Sequence, residues 1–208
     1  MRKIFFDFDG TLVNSQMRLY KLFCELCPEN TFSYDEYWKI KRNRVTQKEF
    51  LAKYFHFDEN RMALFHQKWL LKVEEKERVL SDDIPVEGMN SVLHDLSKTH
   101  KLFLVTNRQS LEITEEELKK FGWFSSFEKI LVTEQKKSKP DLIRAEVSDI
   151  HSEDCFVGDT GEDIKTAKEF GAKSVAVTWG VINRGVLQTY VPDRIVDTVQ
   201  ELKNHFKI

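Results

Sequence analysis

The chain has 208 residues, of which 41% are hydrophobic and 32% charged, with 32 lysines and arginines against 34 aspartates and glutamates. These values are typical of a globular protein of one or two domains, and the near-neutral charge balance gives no support for nucleic-acid binding. The first apolar run is interrupted by acids and no later run approaches the length of a membrane span, so we expect a cytoplasmic protein without a membrane partner.

Short segments rich in β-branched and aromatic residues recur along the chain, and polar or glycine-containing residues follow each of them. In most cases a helical pattern comes next. Apolar strands that alternate with helices indicate an α/β fold with a parallel sheet covered on both faces. Ligands of such sheets bind at the carboxyl ends of the strands. The predicted strands are 3–7, 102–106, 129–133, 155–158 and 174–178.

The segment 15–83 interrupts this alternation because it contains no convincing strand. Its apolar residues instead recur at helical spacing, for example Leu19, Leu22 and Leu26. This pattern predicts a helical domain, 15–83, inserted between two parts of the sheet domain, 1–14 and 84–208.

Acidic residues follow the first predicted strand. Asp7 and Asp9 are two positions apart, so in an extended chain both carboxylates project to the same side, and Gly10 permits a sharp turn after them. Neighbouring carboxylates repel each other unless a cation or a shared proton offsets the repulsion. A solvated turn is the alternative, but the surrounding apolar residues indicate a buried strand.

Three later strand ends also carry polar side chains. Thr106 and Asn107 can donate hydrogen bonds to an anion, although the same residues serve as turns or helix caps. Lys139, fixed by the proline after it, can bring a positive charge to a phosphate. Asp159 and Asp163 are four positions apart and suit Mg²⁺, with an acidic helix cap as the alternative.

Together, the strand ends supply two acids, a hydroxyl, a lysine and two further acids. Phosphoryl transfer requires these groups, because it needs a nucleophile, a proton donor, positive charge on the phosphate and a metal site. The set therefore predicts an enzyme that acts on a small phosphorylated metabolite with Mg²⁺ as cofactor.

The sequence resembles the haloacid dehalogenase superfamily, in particular its phosphoglycolate phosphatase and β-phosphoglucomutase-like subgroup. The resemblance covers nearly everything outside 15–83. It implies a Rossmann-like, doubly wound parallel sheet as the catalytic core, 1–14 and 84–208, and an inserted α-helical cap, 15–83. The stretches that carry the resemblance are DFDGT at 7–11, VTN at 105–107, KP at 139–140 and GDTGED at 158–163.

The resemblance also implies residue roles. Asp7 would attack phosphorus and carry an aspartyl-phosphate, while Asp9 would protonate the leaving oxygen and then activate water. Because Asp9 must be protonated in the first step, we expect surroundings that favour its neutral form. The phosphoryl oxygens would be held by Thr106, Asn107 and Lys139. The Mg²⁺ ligands would come from Asp7, Asp9 through its backbone carbonyl, Asp159 and Asp163.

Substrate specificity has three candidate residues. Arg42 and Arg44 lie in a basic stretch of the insert that we interpret first as a solvated charge run, with contact to an anionic or polyhydroxyl leaving group as the alternative. Arg108, just after the second motif, would contact either the substrate or solvent at a helix start.

The motifs leave three functions open. A phosphatase is the leading prediction, since an acid at position 9 resembles the family members that act on phosphate esters. A sugar phosphomutase would use the same aspartyl-phosphate chemistry, and a non-catalytic phospho-ligand-binding module would not require an acid pair. We expect a monomer or a weak homodimer.

Overall fold

The computed structural model of this chain describes residues 1–208. Its contacts divide the chain into two compact units, one formed by 1–14 with 84–208 and the other by 15–83. All strands belong to the first unit, and the second is built from helices. The roles of catalytic core and cap for these two units stay predictions.

The first unit contains a six-stranded parallel sheet, in the order β5-β4-β1-β6-β7-β8, and a small antiparallel pair, β2 and β3. This architecture confirms the predicted α/β class with a doubly wound parallel sheet. The strands are β1 (Lys3–Phe6), β2 (Val13–Asn14), β3 (Ile84–Pro85), β4 (Lys101–Thr106), β5 (Lys129–Val132), β6 (Cys155–Gly158), β7 (Lys173–Val177) and β8 (Arg194–Val196).

Eleven α-helices accompany these strands, five in the second unit and six in the first. None of them combines the length and the hydrophobicity that crossing a membrane requires. The helices of the second unit are α1 (Gln16–Leu26), α2 (Tyr34–Lys41), α3 (Gln47–Phe55), α4 (Glu59–Lys72) and α5 (Lys76–Asp82). Those of the first unit are α6 (Met89–Ser97), α7 (Leu111–Lys120), α8 (Lys139–Glu146), α9 (Gly161–Glu169), α10 (Arg184–Thr189) and α11 (Val199–Phe206).

Strand β1 lies at the centre of the sheet and is buried on both faces. Ile4 and Phe6 belong to one hydrophobic cluster, and Phe5 belongs to a second, separate cluster. The ring of Phe5 stacks on Phe103 and Phe156, with centroids 4.9 and 4.4 Å away. Because successive side chains of a strand point to opposite faces, this continuous apolar run requires helices on both sides of the sheet.

The strand order reverses at β1, since β4 and β5 lie on one side of it and β6, β7 and β8 on the other. Parallel register places Phe6 beside Leu104 and Val157, so the neighbouring strands end at the same edge. Open parallel sheets bind ligands at the carboxyl edge where their order reverses. The residues that follow β1, β4 and β6 are therefore placed to form one site.

The second unit packs around the buried ring of Phe23 in α1. The rings of Tyr37, Phe50 and Phe65, from α2, α3 and α4, have centroids 4.8, 5.5 and 6.1 Å from it. Helical spacing of apolar residues brings these rings to the inner faces of their helices. The aromatic side chains thus supply much of the hydrophobic core of this unit.

Candidate active site

Four charged side chains meet at the carboxyl edge of the sheet. Asp7 follows β1, Lys139 begins α8, Asp159 follows β6, and Asp163 lies in the first turn of α9. The ammonium nitrogen of Lys139 donates to Asp7 Oδ1 at 2.6 Å and to Asp163 Oδ1 at 2.7 Å. Carboxylate oxygens of the three aspartates lie within 4.8 Å of one another. Residues 132 and 24 positions from the lysine thus converge on one point.

Local helix-start signals place two of these side chains. Ser138 caps α8 and a proline occupies its first turn, which makes Lys139 the first helical residue. In α9, Asp163 Oδ2 accepts hydrogen bonds from the backbone N–H of Thr160 at 3.1 Å and from its hydroxyl at 2.7 Å. Asp163 is therefore a helix cap and, through Oδ1, a partner of Lys139. Its role as a metal ligand stays a prediction.

A backbone N–H group holds the Asp159 carboxylate, which lies in a space that exists because two neighbouring residues are glycines. The N–H of Val181 donates to its Oδ2 at 2.6 Å. The hydroxyl of Thr11 lies 3.5 Å from Asp159 Oδ1 and 3.3 Å from Asp7 Oδ2. A Cβ atom would come within 2.3 Å of Asp159 if added to Gly10 and within 2.1 Å if added to Gly180. Both glycines are thus required for the close approach of this carboxylate.

Burial controls the protonation of the site. Desolvation raises the pKa of Asp7 from 3.8 to about 7, and the charge on Lys139 opposes this rise. Burial likewise raises the pKa of Asp159, with the charges of Asp7 and Asp163 adding to the effect. Burial lowers the pKa of Lys139, but the carboxylates of Asp163 and Asp7 outweigh it, so the net shift is upward. When all three carboxyl groups are ionised, their charge exceeds that of the single ammonium, and a divalent cation would offset the difference.

Asp9 points to a different partner. The guanidinium of Arg108 donates from Nε to Asp9 Oδ2 at 2.7 Å and from Nη2 to Asp9 Oδ1 at 2.9 Å. Arg108 also donates from Nη1 to Glu117 of α7. An arginine beside a carboxylate favours its charged form. Arg108 acts against the neutral form of Asp9, and the protonation of Asp9 in the first step stays a prediction.

A family model described as haloacid dehalogenase-like hydrolase matches residues 4–177 of the chain. The chain belongs to this family. Its membership agrees with the site geometry, because the match includes every residue of the acidic cluster and the lysine between them.

Relatives of this haloacid dehalogenase-like hydrolase align with it over nearly their whole length. Pyrophosphatase PpaX from Bacillus mycoides is 24% identical over an alignment of 208 positions, which covers 96% of this chain and 94% of the relative. A phosphoglycolate phosphatase from Synechococcus elongatus is 25% identical over an alignment of 210 positions, which covers 97% of this chain and 95% of the relative.

Solved structures share the fold. A haloacid dehalogenase-like family hydrolase from Streptococcus pneumoniae has a TM-score of 0.81 at 21% identity, covering 99% of this chain and 98% of its own. A predicted phosphoglycolate phosphatase from Haemophilus somnus has a TM-score of 0.76 at 20% identity, covering 99% and 98%. At these identities the likeness establishes the fold and nothing further.

The remaining motif residues of this haloacid dehalogenase-like hydrolase lie at the end of β4. Thr106 is the last residue of the strand and is buried. Asn107 is exposed, and its side-chain amide donates to Glu162 Oε2 at 2.7 Å. The contact links the second and fourth motifs across the edge of the sheet. The phosphate-binding roles of Thr106 and Asn107 stay predictions.

The three predicted specificity residues occupy two different units. Arg42 and Arg44 lie in the second unit, between α2 and α3, and Arg44 has a positive φ of 65°. Arg108 lies in the first unit and is buried against Asp9 and Glu117, so it is not a surface residue at a helix start. A role in substrate specificity stays a prediction for all three.

Sequence reasoning missed several residues that hold this site. Thr11 contacts two of the acids, and its backbone carbonyl accepts a hydrogen bond from Trp179 Nε1 at 3.1 Å. Gly180 leaves space for the Asp159 side chain, and the backbone N–H of Val181 donates a hydrogen bond to it. Thr11 ends the DFDGT motif and Gly180 lies three residues after the end of β7, so position next to a strand end was the signal available for both. Glu117 lies within helix α7 and not next to a strand end.

Proposed function

We propose that this protein is a Mg²⁺-dependent phosphatase that hydrolyses a small phosphorylated metabolite through an aspartyl-phosphate on Asp7. The observation that carries the proposal is the meeting of Asp7 with Lys139, Asp159 and Asp163 at the carboxyl edge of the sheet. The groups that lie together there could serve as nucleophile, phosphate-binding cation and hard oxygen ligands, which are the groups that phosphoryl transfer requires.

The acidic cluster fits the chemistry of Mg²⁺. This ion prefers oxygen ligands and is bound by a few carboxylates together with water and substrate oxygens. Asp7, Asp159 and Asp163 would hold it, and the carbonyl of Asp9 is the further ligand that the family resemblance implies. When bound, Mg²⁺ would stabilise negative charge on the phosphoryl oxygens. The hydrogen bonds to Asp159 and Asp163 from Val181 and Thr160 would orient these ligands.

In the first step, a carboxylate oxygen of Asp7 attacks phosphorus and the bond from phosphorus to the ester oxygen breaks. Asp9, in its protonated form, gives its proton to the departing oxygen. The products are the free alcohol, or other leaving group, and an aspartyl-phosphate. Lys139, which contacts Asp7, is placed to neutralise charge on the transferring group.

In the second step, Asp9 takes a proton from a water molecule whose oxygen attacks the same phosphorus atom. The bond from phosphorus to Asp7 breaks, inorganic phosphate leaves, and both aspartates return to their starting forms. Dividing the displacement in two lowers the barrier of each part. Thr106, Asn107 and Lys139 would hold the phosphoryl oxygens through both steps.

The names of the relatives support hydrolysis over the phosphomutase alternative, since one is a pyrophosphatase and the other a phosphoglycolate phosphatase. The test is a phosphate-release assay over a panel of phosphorylated metabolites that includes pyrophosphate and phosphoglycolate, with Mg²⁺ and with a chelator. We expect Mg²⁺-dependent release of phosphate from at least one compound. Isomerisation of a sugar phosphate without release would identify a mutase, and inactivity on the whole panel would contradict the proposal.

Replacing Gly180 by alanine should weaken Mg²⁺ binding. The added Cβ would lie 2.1 Å from Asp159 Oδ2, so the carboxylate would have to move. We expect the Mg²⁺ concentration that gives half-maximal activity to rise about 10- to 100-fold, the range for disturbed support of a metal ligand. Gly185→Ala is the matched control, because its Cβ would lie 3.4 Å from the nearest atom. Equal Mg²⁺ dependence of the two variants would show that Asp159 does not bind the ion.

Mg²⁺ binding should strengthen as pH rises. Because burial raises the pKa of Asp7 to about 7, the ion must displace a proton at lower pH. The ionised fraction of a group with this pKa increases about tenfold from pH 6 to pH 8, so the Mg²⁺ dissociation constant should fall about tenfold or more. Calorimetric titration of the protein with MgCl₂ at both pH values measures this. An affinity independent of pH would contradict the assignment of Asp7 as a ligand.

A further inference from the structure

Arg108 connects the proposed acid–base residue to the interior of the protein. Two of its nitrogens contact both carboxylate oxygens of Asp9, at 2.7 and 2.9 Å, and a third contacts Glu117. The guanidinium also lies over the buried ring of Phe8, with Cζ 4.5 Å from the ring centroid. The loop after β1, the turn after β4 and helix α7 are therefore joined through one side chain.

The geometry of this contact restricts Asp9. A planar guanidinium that binds both oxygens of a carboxylate fixes the plane and the direction of that carboxylate, which a single hydrogen bond or a lysine does not. Arg108 thus determines where the two oxygens of Asp9 lie. The residue on which general acid–base catalysis would depend is held by a second residue that sequence analysis placed at the substrate or at the surface.

Glu117 in turn restricts Arg108. The Glu117 side chain is fully buried at 0% exposure, and that of Arg108 is 2% exposed. Moving the arginine away would leave the carboxylate of Glu117 buried and without this cation, which is strongly unfavourable. Of the three charged side chains, Asp9 is the one that reaches the surface, at 28% exposure. The connected residues therefore present one carboxylate outward from a rigid interior support.

We propose that Arg108 and Glu117 are positioning residues that hold the Asp9 carboxylate in the orientation required for proton transfer to and from the substrate. The inference rests on the proposed phosphatase function. It assigns no direct substrate contact to either residue, and it explains why two buried charges are present next to a catalytic loop.

The test compares phosphate esters whose leaving groups need different amounts of protonation. An alkyl phosphate depends on the proton from Asp9, whereas p-nitrophenyl phosphate has a leaving group that departs with little help. Arg108→Lys keeps the positive charge but loses the two-point contact. We expect its kcat/KM to fall about tenfold or more for the alkyl ester and less than about threefold for the aryl ester, within the range of general acid–base effects.

Two further variants separate positioning from loss of structure. Glu117→Gln keeps the shape of the side chain and removes its charge. Its kcat/KM for the alkyl ester should fall selectively, but by less than in Arg108→Lys. This variant keeps the proposal testable if Arg108→Lys does not fold. Glu115→Gln is the matched control on α7, because Glu115 is partly exposed and pairs with Lys119 at 3.3 Å. Glu115→Gln should leave kcat/KM unchanged for both esters.

The Asp9→Asn background gives the decisive comparison. If Arg108 acts through Asp9, adding Arg108→Lys to Asp9→Asn should cause no further selective loss on the alkyl ester, so the two effects will not add. An equal loss on both esters, or a full additional loss in the Asp9→Asn background, would overturn the positioning role. Absence of phosphate release by the unmodified protein would instead contradict the proposed function itself.

Discussion

Asp7→Asn should reduce phosphate release by about 10⁴-fold or more, because removing a covalent nucleophile removes the reaction path and not merely one contact. The asparagine amide has nearly the same size as the carboxylate and cannot form the aspartyl-phosphate. The measurement is steady-state phosphate release from the best substrate of the panel. Acid-quenched Asp7→Asn should also lack the phosphoryl group that we expect the unmodified protein to carry during turnover.

The folded state should survive this substitution. Ionising Asp7 in its buried position is unfavourable, as its pKa of about 7 shows, and Lys139 keeps Asp163 as a partner at 2.7 Å. We therefore expect the free energy of unfolding of Asp7→Asn at pH 8 to equal or exceed that of the unmodified protein. Asp95→Asn is the control for the chemistry of the change, since Asp95 forms a surface pair with Lys98 and should retain full activity.

Activity above about one hundredth of the original in Asp7→Asn would exclude Asp7 as the nucleophile. A loss of activity together with unfolding would instead show that the acidic cluster depends on the Asp7 charge for its structure. Circular dichroism and urea unfolding of the same preparation separate these two outcomes. Both outcomes must be measured because Lys139 and Thr11 contact the Asp7 carboxylate, so the substitution changes these contacts as well as the nucleophile.

The main sheet and the acidic site were accessible from sequence because their signals are local. Ile4, Phe5 and Phe6 form a continuous apolar run, which requires a strand buried on both faces, and Asp7 follows directly. All five predicted strands occur within one residue of their predicted ends. Since parallel strands share a carboxyl edge, predicting the strands also predicted the meeting of Asp7, Lys139, Asp159 and Asp163.

Three short strands could not be predicted because they contain too few residues to show a periodic hydrophobic pattern. Strand β8 has three residues, Arg194–Val196, and follows a proline and an aspartate that indicate a loop. Its place in the sheet comes from pairing with β7, a contact between distant segments. Strands β2 and β3 have two residues each, which is below any useful periodicity.

The partner of Asp9 was missed for a different reason. Asp9 and Arg108 are 99 positions apart, and sequence shows charge but not pairing. Glu117 is the third of three consecutive glutamates, which suggests a solvated helix face. Yet Glu117 follows the buried Thr114 by three positions and precedes the buried Leu118, so helical spacing places it on the buried face. That spacing was the available signal.

Within the second unit, Asp83→Ala should cause a large loss of stability. Asp83 Oδ1 accepts a hydrogen bond from Arg18 Nε at 2.8 Å, and the two side chains are 0% and 3% exposed. Arg18 also donates to the carbonyl of Val73. Removing one partner of a buried ion pair leaves the other charge without compensation, and we expect the free energy of unfolding to fall by about 3–5 kcal/mol.

The neighbouring residue provides the control for this prediction. Asp82 pairs with Lys21, also from α1, at 2.6 Å, but the lysine side chain is 53% exposed. Exposed pairs contribute little, so Asp82→Ala should cost about 1 kcal/mol or less. Urea unfolding should be followed by near-ultraviolet circular dichroism and by tryptophan fluorescence, because agreement of two probes tests whether a chain with two compact units unfolds in one step.

A double variant identifies the cause of the loss. Arg18→Met combined with Asp83→Leu removes both charges and fills their space with apolar atoms, so stability should return close to that of the unmodified protein. Recovery would show that the cost of Asp83→Ala comes from an uncompensated buried guanidinium. If the double variant were as unstable as Asp83→Ala, the polar contacts themselves, including that to Val73, would be what joins α1 to the end of the second unit.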